Sequence, residues 1–375
     1  MKMRVVILAL LLPLAGSVNA QEEVLTVPTA VPFLRISPDP RAAGMADVSI
    51  AMDPDPNSCF INPAKLAFSS QRMGFGLSYT PWFSAYNTGQ YLAALSFFSH
   101  LSDDDAISVS LRYFNTGTIT STDNYGNIVN TYKPKDFSVD AAYSLRLNDY
   151  VSVSTALRFI YSKLVSGNFN GTAFKAGKTV AADLTLYTDL RDEDGLGWTG
   201  GISLNNLGGK IGYTDNQNGR EFIPATLAAG AGYTFLFGED NALLIAGQVE
   251  KLLVPVVPND AAGRASYHDI GVMNGWVKGF SNNANRFALG VQFDYQRLLY
   301  LRAGYSLEPN IESYRNGFTA GVGFRLPAIS VNMSYLVPSM SSSGINPLNN
   351  TLRFGAVLNF ESVLDYIQQR RAPVL

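Results

Sequence analysis

The feature that most restricts this chain is a repeated period of two. Ile107, Val109, Leu111 and Tyr113 alternate with Ser108, Ser110 and Arg112, and Phe287, Leu289, Val291, Phe293 and Tyr295 alternate with Ala288, Gly290, Gln292 and Asp294. The same pattern runs through Leu299–Ser306, Phe318–Leu326 and Ile329–Tyr335. Alternation gives a strand two chemically different faces. A soluble sandwich alternates too, so other features must decide. The alternating runs are about 9–12 residues long, the length a tilted strand needs to cross a bilayer. Their second face carries Gly, Ser, Thr and Arg rather than a Lys/Glu coat. Tyr and Phe recur near strand ends, where an aromatic girdle would lie. Charged residues are only 15% of the chain, against roughly 25% in a soluble domain. The expected fold class is all-β, a transmembrane barrel.

The N-terminus supplies the compartment. Lys2 and Arg4 precede an apolar run from Val5 to Leu14, and Val18, Asn19 and Ala20 offer small-residue spacing for cleavage. About ten apolar residues are too few to span a bilayer, so residues 1–20 read as a cleaved secretory signal. With a net charge of −2 the chain offers no basic field, and nucleic acid is not an expected partner. The single cysteine, Cys59, has no intramolecular disulfide partner and reads as a small buried hydrophobe rather than a reactive thiol.

Fourteen strands are expected, near 72–80, 90–98, 106–116, 136–146, 151–163, 179–189, 198–206, 225–235, 241–251, 285–295, 298–308, 316–326, 329–337 and 350–360. An even count puts both barrel ends on the periplasmic side. Connections at 148–150, 237–240 and 327–328 are tight, whereas 117–135, 164–178, 207–224, 252–284 and 338–349 are long. Long loops belong outside the cell. The barrel therefore occupies 72–360, with a short periplasmic tail over 361–375.

Alternation assigns Arg112, Arg158, Arg286, Arg302, Arg325 and Arg353 to the inner face, together with Asp140, Asp183, Glu250 and Asp294. Opposite charges in a narrow lumen are expected to pair with each other or with a plug, because an inner charge needs a partner. Residues 21–71 do not alternate and hold seven prolines, so they are no central strand. Their apolar content suits a hatch folded into the lumen; the other placement is a periplasmic arm.

Within this region stand Pro32-Phe33-Leu34, then Pro38-Asp39-Pro40-Arg41-Ala42-Ala43-Gly44-Met45-Ala46-Asp47, then Asn62-Pro63-Ala64-Lys65-Leu66-Ala67-Phe68, then Tyr79-Thr80-Pro81-Trp82. With fourteen strands and an N-terminal hatch, this resembles the PorV (LptO) family of the type IX secretion system of Bacteroidetes, within the FadL superfamily. Ile61 stands before Asn62 where an aromatic residue would be expected. The resemblance implies an integral outer-membrane shuttle in contact with outer-membrane lipid and lipopolysaccharide. Such a shuttle takes secreted cargo from the translocon barrel SprA (Sov) by its C-terminal signal domain. It then delivers the cargo to the PorU attachment complex. Asn62, Pro63 and Ala64 are expected to lock the hatch to the wall, since Asn bonds to backbone and Pro fixes a bend.

A binding role also follows from the residues. The 252–284 loop is long for a connection and carries Ile270, Val272, Met273, Trp276, Val277 and Phe280. Apolar residues on an external loop suit a protein partner, and Trp82, Phe83 and Tyr86 on the first loop would extend that surface. The other placement folds the long loop back over the barrel mouth. Two further functions compete: a FadL-like channel for hydrophobic small molecules, and a lipopolysaccharide deacylase. The second needs a histidine beside an activated hydroxyl. Only His100, in a periplasmic turn, and His268, two residues from Ser266, are available. Neither belongs to a rigid dyad, so no catalytic residue is assigned. One cysteine and two histidines make no zinc cluster, the acidic turns lack EF-hand spacing, and no metal or cofactor is expected.

Overall fold

The computed structural model describes residues 27–360 apart from 83–88, 123–124, 166, 170–171, 217–218, 310–315 and 339–350. The expected signal at 1–20 and tail at 361–375 lie outside the described residues. Fourteen strands form one closed barrel. They run Met73–Trp82, Gln90–His100, Asp105–Asn115, Lys135–Arg146, Val151–Lys163, Gly177–Arg191, Gly197–Gly208, Thr226–Phe237, Asn241–Leu252, Asn285–Tyr295, Leu299–Leu307, Gly317–Arg325, Ile329–Pro338 and Leu352–Asn359. The first and last pair antiparallel, Leu77 opposite Ala356, and leave no edge. Each strand lies where alternation places it, with ends shifted by at most two residues.

The wall is an inverted core. Leu157 is 71% exposed, Leu289 58% and Phe318 62% on the outer face. Ser96, Ser110, Ser138, Ser144 and Ser162 are buried on the inner one. A continuous apolar belt of this kind is unstable in water. In lipid it is favourable, because closure satisfies every ladder N–H and C=O. Among the described residues no helix is long and apolar enough to cross a membrane.

Turn chemistry sets the two ends apart. In the tight 148–150 turn, Asn148 Oδ1 accepts from Tyr150 N and Val151 N, both at 2.9 Å. The long connections are more structured than their sequences suggest. Residues 117–135 and 164–178 contain small hairpins, Ile119–Thr122 with Ile128–Tyr132 and Gly167–Phe169 with Thr172–Phe174. The long 252–284 loop holds helices Ala261–Asp269 and Val272–Gly279. Asp260 starts the first by accepting from Gly263 N at 2.7 Å. A single bridge, Ile211 to Glu221, folds the 207–224 loop inward.

Candidate functional site: the filled lumen and its cap

Residues 27–71 lie inside the barrel and run its length. At the long-loop end Val27 packs on Phe222, Leu252, Val254 and Tyr267, and Val31, Phe33 and Leu34 pack on Ile160, Ala181, Ile211 and Ile223. Midway, Met45, Val48 and Met52 meet Leu244, Ala246 and Ala288. Near the short turns Cys59 and Leu66 meet Phe98 and Ala106, and Cys59 is buried there.

Glycine decides how closely this segment approaches. A Cβ on Gly44 would stand 3.0 Å from Gly321 Cα, and one on Gly304 would stand 2.4 Å from the Met45 carbonyl carbon. The short helix Pro40–Gly44 therefore sits in a trough of inward glycines. It ends in two left-handed residues, Ala46 at φ 56° and Asp47 at φ 59°. Such a conformation costs about 1–2 kcal/mol per non-glycine residue, so the wall must hold it. Thr319 Oγ1 accepts from Ala46 N at 2.8 Å and donates to Gly44 O at 3.0 Å. The Asp47 carboxylate takes Arg353 at 2.8 Å.

The charged inner residues fall into separate groups rather than one network. Arg158 bridges Asp140 and, at 2.8 Å, Asp183. A bulge between Ala182 and Leu184 lies at Asp183, which also accepts from Asn206 N at 2.6 Å. Arg286 pairs with Glu250 at 3.0 Å and lies 3.8 Å from Asp47, so this group joins wall to segment. Four expected members have other roles. Arg112 donates to Leu34 O at 3.0 Å and Phe60 O at 2.7 Å, because the segment's backbone reaches it before any carboxylate does. Arg302 donates to the neutral amides of Gln292 and Asn332, at 2.7 and 2.9 Å. Arg325 keeps inward parity but is exposed at the short-turn mouth, over the Tyr300 ring at 4.9 Å. Asp294 faces Tyr300 across the ladder and is half-buried.

The Asn62-Pro63-Ala64 stretch touches three strands. Asn62 Nδ2 donates to Leu186 O at 3.2 Å, Pro63 O accepts from Ser144 Oγ at 2.8 Å, and Ala64 O accepts from Ser152 Oγ at 2.7 Å. Other anchors carry no sequence signal. Gln248 Oε1 accepts from Ser49 N and Ile50 N at 3.0 and 3.2 Å, and Arg191 pairs with Asp53 at 2.6 Å. Gln248 and Thr319 look in the sequence like any other polar inward residue.

At the other end the long loop folds back over the mouth. Gly275 and Gly279, one turn apart, face inward; their Cβ atoms would meet the Phe222 ring at 2.3 Å and the Leu253 carbonyl carbon at 2.4 Å. Helix Val272–Gly279 is thus docked by backbone contact, and its far face shows Met273 (74% exposed), Val277 (69%) and Phe280 (57%). The positions i, i+4 and i+7 make one stripe. Ile270 instead joins the cap core, and Val272 and Trp276 are half-buried. Phe83, Tyr86 and the side chain of Trp82 lie outside the described residues. Lys210 donates to His268 O at 2.9 Å beneath this loop, and burial holds its ammonium below the usual lysine range despite Glu221 and Asp269. Ser266 Oγ donates to Gly263 O at 2.8 Å, and His268 Nδ1 lies 3.9 Å from Glu221. His100 Nδ1 faces Ser102 O at 3.3 Å in a short turn.

A closed fourteen-stranded antiparallel wall, apolar outside and threaded by its own N-terminal segment, defines an outer-membrane β-barrel. Solved structures share this fold. The CymD monoaromatic hydrocarbon channel superposes with a TM-score of 0.54 at 14% identity, over 86% of this chain and 97% of that one. The Pseudomonas putida toluene transporter TodX gives 0.52 at 12% identity, over 84% and 96%. The Ralstonia pickettii toluene transporter TbuX gives 0.52 at 12%, over 85% and 96%. Residues 18–260 match the family model of the type IX secretion system protein PorV, and the chain belongs to that family. No curated protein matches it in sequence. It is an integral outer-membrane component of that secretion system.

Proposed function

We propose that this barrel is a carrier that makes and breaks no bond. It holds the C-terminal signal domain of secreted cargo leaving the SprA (Sov) translocon barrel and delivers that cargo to the PorU attachment complex. The observation that carries this reading is the stripe Met273, Val277 and Phe280 on a helix fixed to the external mouth. An exposed apolar stripe on a rigid element suits a protein partner, because little ordering entropy opposes docking. The lumenal segment then serves as a hatch, with Asn62-Pro63-Ala64 as its lock. Two cavities deep beside it, about 40 and 50 Å³, have room for a few waters, and a larger one of about 760 Å³ opens at the short-turn mouth between Asp53, Arg191, Arg297 and Arg325. Small cavities within the lumen and a charged lining at its mouth lend no support to a hydrocarbon channel. The Ser266 hydroxyl is engaged with backbone, which lends none to a deacylase.

The test is cross-linking and co-purification of cargo from native outer membrane. Phe280→Ala should lower cargo affinity by about 30-fold, the loss expected for an aromatic anchor of roughly 2 kcal/mol. His268→Ala should leave surface attachment unchanged. Full cargo capture by a Met273→Ser/Val277→Ser/Phe280→Ser barrel would refute the assignment of this surface. Loss of attachment in His268→Ala with cargo still bound would refute the carrier itself.

A further inference from the structure

The lysines are sorted by position. Lys2 lies in the leader and Lys65 in the lumen; the other eight all fall at the long-loop end, and the short-turn end carries arginine as its only strongly basic residue. Three of the eight point outward on adjacent strands. Lys135 stands directly opposite Lys163, and Lys178 opposite Tyr161. Like charges placed face to face across a ladder repel, and among the described residues none of these lysines has a carboxylate partner, whereas Lys175 has Asp215. One step toward the membrane, Phe137 and Tyr161 stack at 5.0 Å with an interplanar angle of 19°. Lys178 Nζ lies 6.0 Å from the Tyr161 ring centre.

An open groove of about 780 Å³ continues this patch. Its floor is the outward Phe159 and Val180, and its upper edge carries Lys178, Lys210 and Arg220, with Asp269 the one carboxylate on its lining. A ligand here must be apolar below, where the wall faces acyl chains, and anionic above. Aromatic rings at the interface and long-stemmed cations just beyond them are the arrangement that receives a lipid headgroup.

We propose that the external rim over strands 135–146, 151–163 and 177–191 binds an outer-leaflet lipid through a phosphate of its headgroup. Lys135, Lys163 and Lys178 neutralise the phosphate, which relieves their mutual repulsion, and the groove along Phe159 and Val180 takes the first part of an acyl chain. An acidic protein segment would satisfy the lysines, but it would leave that floor facing lipid unused. The site does not depend on the carrier reading.

The experiment is native mass spectrometry of the full-length barrel in non-ionic detergent, titrated separately with diphosphoryl lipid A, dephosphorylated lipid A and inorganic phosphate. The parent should retain diphosphoryl lipid A. Lys135→Gln/Lys163→Gln/Lys178→Gln should bind it about 100-fold more weakly, while Arg297→Gln, exposed in a short turn at the opposite end of the barrel, should bind as the parent does. Heat-modifiable migration, unchanged in the triple variant, verifies that the barrel is intact. Equal retention by the triple variant, or equal binding of the dephosphorylated lipid, would overturn the proposal. Saturation by inorganic phosphate at the same concentration would show a free-anion site and overturn the lipid assignment.

Discussion

Arg158 stands between Asp140 and Asp183 with 1% of its side chain exposed. Its inward position could be read from alternation, and so could both carboxylates. That these three meet, and that Arg112 and Arg302 join no such group, depends on which backbone and amide oxygens the lumenal segment and neighbouring strands supply. Breaking a buried charge pair from one side typically costs about 3–5 kcal/mol, because the remaining charge is left uncompensated. Arg158→Met should therefore lower the urea midpoint of barrel unfolding by that equivalent. Adding Asp140→Asn and Asp183→Asn should recover most of the loss. If the single variant unfolds at the parent's midpoint, the wall does not rely on this group.

The lumenal segment is the element that turns a barrel into a closed object. It is held by backbone-directed bonds from Thr319, Gln248, Ser144 and Ser152 and by ion pairs to Arg353 and Arg191. The strand ladders, by contrast, close without it. Removing residues 27–52 should leave a heat-modifiable barrel and raise single-channel conductance in planar bilayers from near zero. Asn62→Ala removes one bond of 3.2 Å to Leu186 O, worth about 0.5–1.5 kcal/mol. It should lower the urea midpoint slightly and leave the barrel closed. A deletion variant that conducts no better than the parent would show that loops, not this segment, seal the pore. The segment's apolar content and prolines exclude a strand, yet its path was not legible. Gly44 is informative only once Gly321 lies 3.0 Å from where its Cβ would be.

For the whole molecule, orientation makes a prediction about surface access. The 207–224 and 252–284 loops are packed into the cap through Ile211, Phe222 and Tyr267, whereas the 119–132 hairpin projects, with Tyr125 91% exposed and Ile128 70%. Protease added to intact cells should cut first in 119–132, more slowly in 252–284, and not at 148–150 or 237–240. The products can be read by mass spectrometry of the released peptides. Early cleavage at Asp149 in intact cells would reverse the assigned orientation.

What the sequence determined by itself was the wall: fourteen strands, their faces, and which ends carry long loops. A side-chain period of two is local, and each strand declares its two faces without reference to its neighbours. The motifs from Pro32 to Trp82 pointed to the family for the same reason, since they are contiguous. What only the tertiary structure decided was contact between distant parts. Examples are the trough of Gly304 and Gly321 that receives Met45 and Gly44, the division of arginines between carboxylates and backbone oxygens, and the two glycines that dock helix Val272–Gly279. In the sequence Trp276 looks like the natural anchor of the outer surface. Yet the docking of Gly275 and Gly279 turns Met273, Val277 and Phe280 outward and leaves Trp276 half-buried. Helical phase sets which residues share a face, but the packing partner sets which face is left uncovered.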